Sequence, residues 1–220
     1  MLMRVGESLG GSGQVAAAAA FFEELCVASE SEIGADHPSV LIARGNLASW
    51  RGRAGDPAGA VSAYEQLHAD MLRVLGPDHS NTLLTRRNLA SWRGEAGDPA
   101  GAVSAYEELL ADTLRVAGPD HPDALATRHN LASWRGEAGD PAGAVSAYEE
   151  VLADMLRVLG PDHPDTLTSR ANLARWREYV DRSSGNTSGK YHVDVRGSQG
   201  VQVGDGNIQH NTFGTGGRNE

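Results

Sequence analysis

An all-α solenoid of antiparallel helix pairs is the fold this sequence predicts, and three observations predict it. The block DPAGAVSAYE begins at Asp56, Asp98 and Asp140, a fixed period of 42 residues, and self-similarity at such a period marks a stacked-repeat architecture. Within each period apolar residues such as Ala43, Leu47, Trp50 and Ala54 fall at i, i+4, i+7 and i+11, a stripe of helical period. Each copy also carries a Gly-Asp-Pro step, first at Gly55-Asp56-Pro57, in which a left-handed residue ends one helix and an N-cap followed by proline at N1 starts the next.

In chain order, residues 1–13 contain Gly and Ser and are expected to be a frayed, disordered N-terminus. Residues 14–33 align with the repeats after a shift of one period: Phe22 falls on Tyr64, Glu23 on Glu65, Leu25 on Leu67 and Gly34 on Gly76. This is a degenerate second helix, suited to capping the stack. First helices are expected at 38–54, 80–96, 122–138 and 164–180. The second helix carries Ala60, Ala63, Tyr64, Leu67, Met71 and Val74 on one face until Gly76-Pro77 stops it. Neither helix can bury its stripe alone, so each pair must stack on its neighbours. The solenoid then spans 14–182, with a half-repeat at 14–33, repeats from about 34, 76 and 118, and a terminal first helix at 164–182.

Composition narrows the function. A net charge of -10 leaves no basic face to displace the counterions of a nucleic acid. Charges of both signs spread through the repeats read as a solvated surface. One cysteine, Cys26, excludes an internal disulfide and a thiolate zinc cluster, and a reducing cytoplasm is the expected location. The start MLMRVGESLGGSG has no apolar core of a signal peptide, and no stretch reaches the roughly 18 apolar residues of a membrane span.

The pattern Leu47-Ala48, Gly55, Ala60, Tyr64 and the helix-ending Pro77 resembles the tetratricopeptide repeat (TPR). The 42-residue period, the phrase LGPDHPDTL at Leu159–Leu167 and Asn172-Leu173-Ala174 resemble its kinesin-light-chain variety. The resemblance implies protein or peptide binding on a concave face, lined by the first helices, and no catalysis. The implied inward stripe is Ile42, Gly45 and Ser49, then Leu84, Arg87 and Ser91, then Ala126, His129 and Ser133, then Thr168, Ala171 and Arg175. Kinesin-light-chain repeats often carry Asn where this chain has Gly45, Arg87, His129 and Ala171, so the family's backbone clamp lacks its residue here. That inward position differs in all four copies while its neighbours stay fixed; a ligand-reading surface gives such variation, and so does unselected drift. The adjacent Asn46, Asn88, Asn130 and Asn172 occur in every copy and read as structural, bonding backbone between helices.

Other candidates have plainer readings. His37, His79, His121 and His163 occupy the same turn once per repeat, too far apart to share an ion at metal–nitrogen distances of about 2 Å; they read as caps or turn packing. The four tryptophans, Trp50, Trp92, Trp134 and Trp176, read as interhelix core. Arg44 and Arg51, with their equivalents, are expected to pair with acids of a neighbouring repeat, setting register and solubility. Cys26 is expected to be buried. No nucleophile–base constellation, paired-carboxylate site, metal cluster or phosphate loop stands out, so the expectation is a protein without catalytic residues, metal or cofactor.

The composition changes after Tyr179. Residues 183–190 read as a flexible Ser/Gly/Asn linker. Beyond it the period becomes two: Tyr191, Val193 and Val195 alternate as a flanking strand, then Val201 and Val203, then Ile208, with Asp205-Gly206 a hairpin-type pair. So few apolar side chains cannot build a core within one chain. Stacked in register across many chains, Val201 and Val203 would enter a dry zipper while Gln202 and Asn207 form amide ladders. The run Val201-Gln202-Val203-Gly204, followed by Asp205, Gly206, Asn207 and Ile208, resembles the core of the RHIM, the amyloid-forming homotypic motif of necroptosis signalling. Related motifs occur in fungal and bacterial signalling proteins joined to receptors and cell-death effectors. The resemblance implies a RHIM-like amyloid signalling segment at 191–214, before a disordered end at 215–220. The expected partners are a groove ligand, other copies of the chain and a protein carrying a matching motif. The alternative is a plain peptide-binding scaffold with an inert, disordered tail.

Overall fold

The computed structural model describes residues 15–183; the linker and the Tyr191–Ile208 segment lie outside the described residues. Those residues form eight helices: α1 (Val15–Ile33), α2 (Pro38–Arg53), α3 (Pro57–Leu75), α4 (Ser80–Glu95), α5 (Pro99–Ala117), α6 (Pro122–Glu137), α7 (Pro141–Val158) and α8 (Pro164–Ser183). They contain no strand. α2, α4, α6 and α8 are first helices, α3, α5 and α7 second helices, and α1 is the degenerate second helix at the start.

Local chemistry sets the boundaries. Asp56, Asp98 and Asp140 each accept the backbone N–H three residues on at 2.8 Å, satisfying a donor that the helix leaves open. The first helices are capped by histidine: Nδ1 of His37, His79, His121 and His163 accepts the N–H of Ser39, Asn81, Asp123 and Asp165 at 3.1–3.2 Å. Gly55 turns the chain with φ 105°, in the left-handed region that glycine enters without a Cβ penalty. Ala54, expected as the last position of the apolar stripe, is instead the exposed C-cap of α2. The helix stops one residue earlier because the N–H groups of Ala54 and Gly55 turn back onto the carbonyls of the last turn. α8 lacks the Gly-Asp-Pro stop and continues past the repeat-equivalent end at 180 to Ser183, one residue beyond the expected end of the terminal helix at 182.

Each second helix is wedged between two first helices. Tyr64, Leu67 and Met71 of α3 share one core with Leu41 and Ala48 of α2 and Leu89 of α4, and the pattern recurs along the array. First helices of successive repeats also touch, α2 with α4, α4 with α6 and α6 with α8, with no contact of that extent between second helices. The first helices therefore line the tighter, inner face.

A second junction element lies at the far end of the first helices. A Cβ on Gly52 would sit 2.5 Å from the Trp92 ring, and the rings of Trp134 and Trp176 crowd Gly94 and Gly136 in the same way. Each tryptophan covers bare backbone of the preceding first helix. The fourth copy has Glu178 at the glycine position, so α8 offers no seat for another tryptophan.

Ion pairs run along the outside. Arg44, Arg86 and Arg128 reach Asp70, Asp112 and Asp154 of their own pair at 2.6–2.8 Å, while Arg51, Arg93, Arg135 and Arg177 reach Glu23, Glu65, Glu107 and Glu149 of the preceding second helix at 2.7–3.0 Å. Only the second set crosses between repeats. The arginine–glutamate pairs are exposed, and pairs of that kind contribute about 0–1 kcal/mol each; the arginine–aspartate pairs are half-buried. Arg170, the fourth member of the first set, has no acidic partner among the described residues.

Trp134→Ala is expected to lower stability by about 3–5 kcal/mol, read from the urea midpoint of the helical signal. Gly94→Ala is expected to cost about 1–3 kcal/mol through overpacking against the same ring. Unchanged midpoints would show that the tryptophan seat carries little of the stacking energy.

Candidate functional site

The inner face is built over a row of buried phenols. The Tyr64 hydroxyl donates to the Gly45 carbonyl at 2.8 Å, lies 2.7 Å from Ser49 Oγ and accepts from Asn88 Nδ2 of the next first helix at 3.2 Å. Tyr106 repeats this with the Arg87 carbonyl at 3.0 Å, Ser91 at 2.6 Å and Asn130 at 3.1 Å. Tyr148 bonds Ser133 and accepts from Asn172 at 3.2 Å. Burial pushes all three phenols above their ordinary range, which keeps the proton that Tyr64 and Tyr106 donate.

These contacts place the residues read as the inward stripe. Ser49, Ser91 and Ser133 lie on that face, but each hydroxyl is held by the tyrosine beneath it. Asn88, Asn130 and Asn172 do join repeats, through the phenol of the preceding second helix where a backbone partner was expected. Ile42 and Leu84 are apolar and 40% and 41% exposed. Ala126 is half-buried and Ala171 exposed. Thr168 is exposed and bonds back to the Pro164 carbonyl at 2.9 Å. Arg175 stacks over the Trp176 ring at 4.9 Å and reaches Glu137 at 3.5 Å.

The inward position that differs in every copy produces a different junction each time. Arg87 crosses to Asp123 of the next repeat at 3.3 Å. His129 crosses to Ser169, with Nδ1 2.6 Å from Oγ, and its ring stands edge-on to Tyr148 with centroids 5.2 Å apart. Gly45 has no side chain, and a pocket of about 70 Å³ opens beside it between α2 and α4. Two shallower clefts of about 560 and 580 Å³ continue along the inner face, the first lined by Ser49, Arg53, Ser91, Trp92 and Glu95, the second by Trp134, Glu137 and Arg175 among others. Such concave surfaces can hold an extended chain. Among the described residues no group of His, Cys, Asp or Glu could hold a metal, and no helix is long and apolar enough to cross a membrane. Cys26 is buried in α1, where burial pushes its thiol up.

The sequence reading missed the phenol node and the tryptophan seats. The signal for the seats was present: a helix-interior glycine two residues after each of the first three tryptophans, replaced by glutamate after the fourth.

The surroundings of His129 favour its neutral form. Asn172 Nδ2 approaches Nε2 at 3.4 Å, Nδ1 is left to donate to Ser169, and Ser169 in turn lies 3.1 Å from Met155 Sδ. A proton on Nε2 would set donor against donor. Burial holds the His129 pKa below its ordinary 6.5, and burial followed by the nearby Arg86 and Arg93 does the same for His68. The unfolded chain then takes these protons first, so the full contribution is present above about pH 6.5 and is lost as pH falls toward the folded values. The urea midpoint is expected to fall between pH 7.5 and 5.5, and His129→Gln to flatten that slope; an equal slope in the variant would overturn this account.

The Tetratricopeptide repeat family matches residues 40–81, 82–123 and 124–165, three consecutive units that cover more than half of the chain. No curated protein matches the sequence. Among solved structures, the nearly identical TPR-like repeats of a Podosopora anserina protein assigned as a kinesin light chain superpose with a TM-score of 0.67 and 26% identity, over 84% of this chain and 88% of that one. A singly substituted form of the same protein gives 0.68 and 26%, over 84% and 87%. BtubC (BKLC) from P. vanneervenii shares the fold, with a TM-score of 0.66 at 18% identity over 93% and 86%. With the period, the stacked helix pairs and the inner face all in agreement, the chain belongs to the tetratricopeptide repeat family.

Proposed function

We propose that this chain is a non-enzymatic signalling adaptor. Its repeats hold a protein or peptide partner along the inner face, and its segment 191–214 assembles by homotypic cross-β templating with other copies and with a partner protein carrying a matching motif. The setting is the cytoplasm of a bacterium, in an immunity or regulated cell-death pathway. One observation carries the first half: the phenol, asparagine and tryptophan contacts that stack the repeats recur, while the inward position is Gly45, Arg87, His129 and Ala171 in turn. Repeats of this family commonly bind protein partners, which supports the same reading. The second half rests on the alternating Val201-Gln202-Val203 run, its Gly and Asn neighbours and its likeness to RHIM-type cores. Ordering several chains costs conformational entropy before any zipper contact forms, so nucleation is slow; partner binding that clusters the repeats raises the local concentration and triggers it.

Incubated with seeds of its own fibrils, the full chain is expected to form thioflavin-positive fibres with a cross-β diffraction pattern. Replacing Val201, Gln202 and Val203 by Asp is expected to abolish assembly and leave the far-ultraviolet helical signal unchanged. A chain that stays monomeric at high concentration with seeds would sink the templating half, leaving a plain peptide-binding scaffold.

A further inference from the structure

We infer that the pocket beside Gly45 is a side-chain subsite that takes one branched aliphatic residue of an extended partner peptide. This rests on the groove reading above and names what the groove selects. The floor is Leu41, Leu67 and Met71, all buried, and the rim is Ile42 and Leu84, which leave apolar surface open to solvent at 40% and 41% exposure. The volume of about 70 Å³ is roughly half that of a cavity of about 150 Å³ that holds benzene. It suits an isopropyl or isobutyl group better than an aromatic ring.

Comparison along the array explains why the site is open at this junction. At the next one, Arg87 crosses to Asp123 at 3.3 Å; at the third, His129 crosses to Ser169 at 2.6 Å. At the first junction Gly45 stands in place of Arg87 and His129, Asn81 in place of Asp123, and Thr85 in place of Ser169. The cation and the carboxylate are thus absent together, which leaves an uncharged rim where Asn81 and Asn88 contribute carboxamides. A neutral rim over an apolar floor disfavours a charged side chain, whose desolvation no partner would offset. A Cβ at Gly45 would already lie 3.3 Å from Leu67 Cδ2, so any larger residue there narrows the pocket from its inner wall.

The test uses the full chain with ¹³C-labelled Ile, Leu and Met methyls and three small probes: N-acetyl-leucinamide, N-acetyl-phenylalaninamide and N-acetyl-lysinamide. The leucine probe is expected to shift the Ile42, Leu67, Met71 and Leu84 methyls saturably, with the other two about ten-fold weaker or worse. Gly45→Arg is expected to abolish those shifts. Arg87→Ala, which removes the crossing side chain, is expected to add a second set at Leu109 and raise the stoichiometry from one to two; it keeps the inference testable should Gly45→Arg unfold. Equal shifts from all three probes, or a Gly45→Arg chain that folds and still binds, would overturn the subsite. So would a notch that admits the leucine probe only after Val201→Asp and Val203→Asp, since the chain's own tail would then be the occupant. Capture of a partner peptide by a chain whose notch ignores the leucine probe refutes the subsite and leaves the groove reading standing.

Discussion

A buried tyrosine hydroxyl at each junction is the interaction on which the inner face depends. It accepts from an asparagine of the next first helix, and at Tyr64 and Tyr106 it also donates to a carbonyl of its own, so that one oxygen fixes three helices. Each such bond contributes about 0.5–1.5 kcal/mol net, and leaving a buried partner unsatisfied costs about 1–3 kcal/mol. Its larger effect is geometric. The carbonyls bonded by Tyr64 and Tyr106 belong to Gly45 and Arg87, so the node holds the backbone of the variable inward position. The array can therefore change the side chain that faces the groove without disturbing the bond that holds the groove in place.

Division of labour follows from this arrangement. The outer ion pairs, half-buried in the aspartate set and exposed in the glutamate set, are individually weak, and of these two sets the glutamate one crosses between repeats; they favour correct register more than they add stability. Stacking energy sits in the apolar wedge of each second helix and in the tryptophan seats. The inner surface carries chemistry that differs between repeats, above all at the position of Gly45, Arg87, His129 and Ala171. There an arginine and a histidine close two junctions and a glycine leaves the third open.

The fold was legible because its determinants are local and repeated. Caps at Asp56, Asp98 and Asp140, glycine stops and a stripe of period 3.6 each act within one helix or turn, and three copies of every signal leave little room for error. The junction was harder to read because a period states which residues are equivalent but not which of them touch. Ser49 and its equivalents looked like free groove hydroxyls; a partner 15 residues on in sequence claims them. Arg87 and His129 stood out as variable, yet nothing in one dimension says that their side chains cross to the next repeat. The Gly45 pocket was invisible for the same reason: it is the absence of a crossing side chain.

The tryptophan seat also bears on how the molecule could change length. Every internal boundary is self-contained: a glycine on one side, a tryptophan on the other, and a phenol between asparagine and serine. Duplication or loss of one 42-residue unit would therefore recreate a working boundary with no compensating change elsewhere. Glu178 confines that freedom to the interior. With glutamate in place of the bare backbone, α8 rejects an incoming tryptophan, so growth by joining another array to this helix is blocked while insertion between existing units stays open.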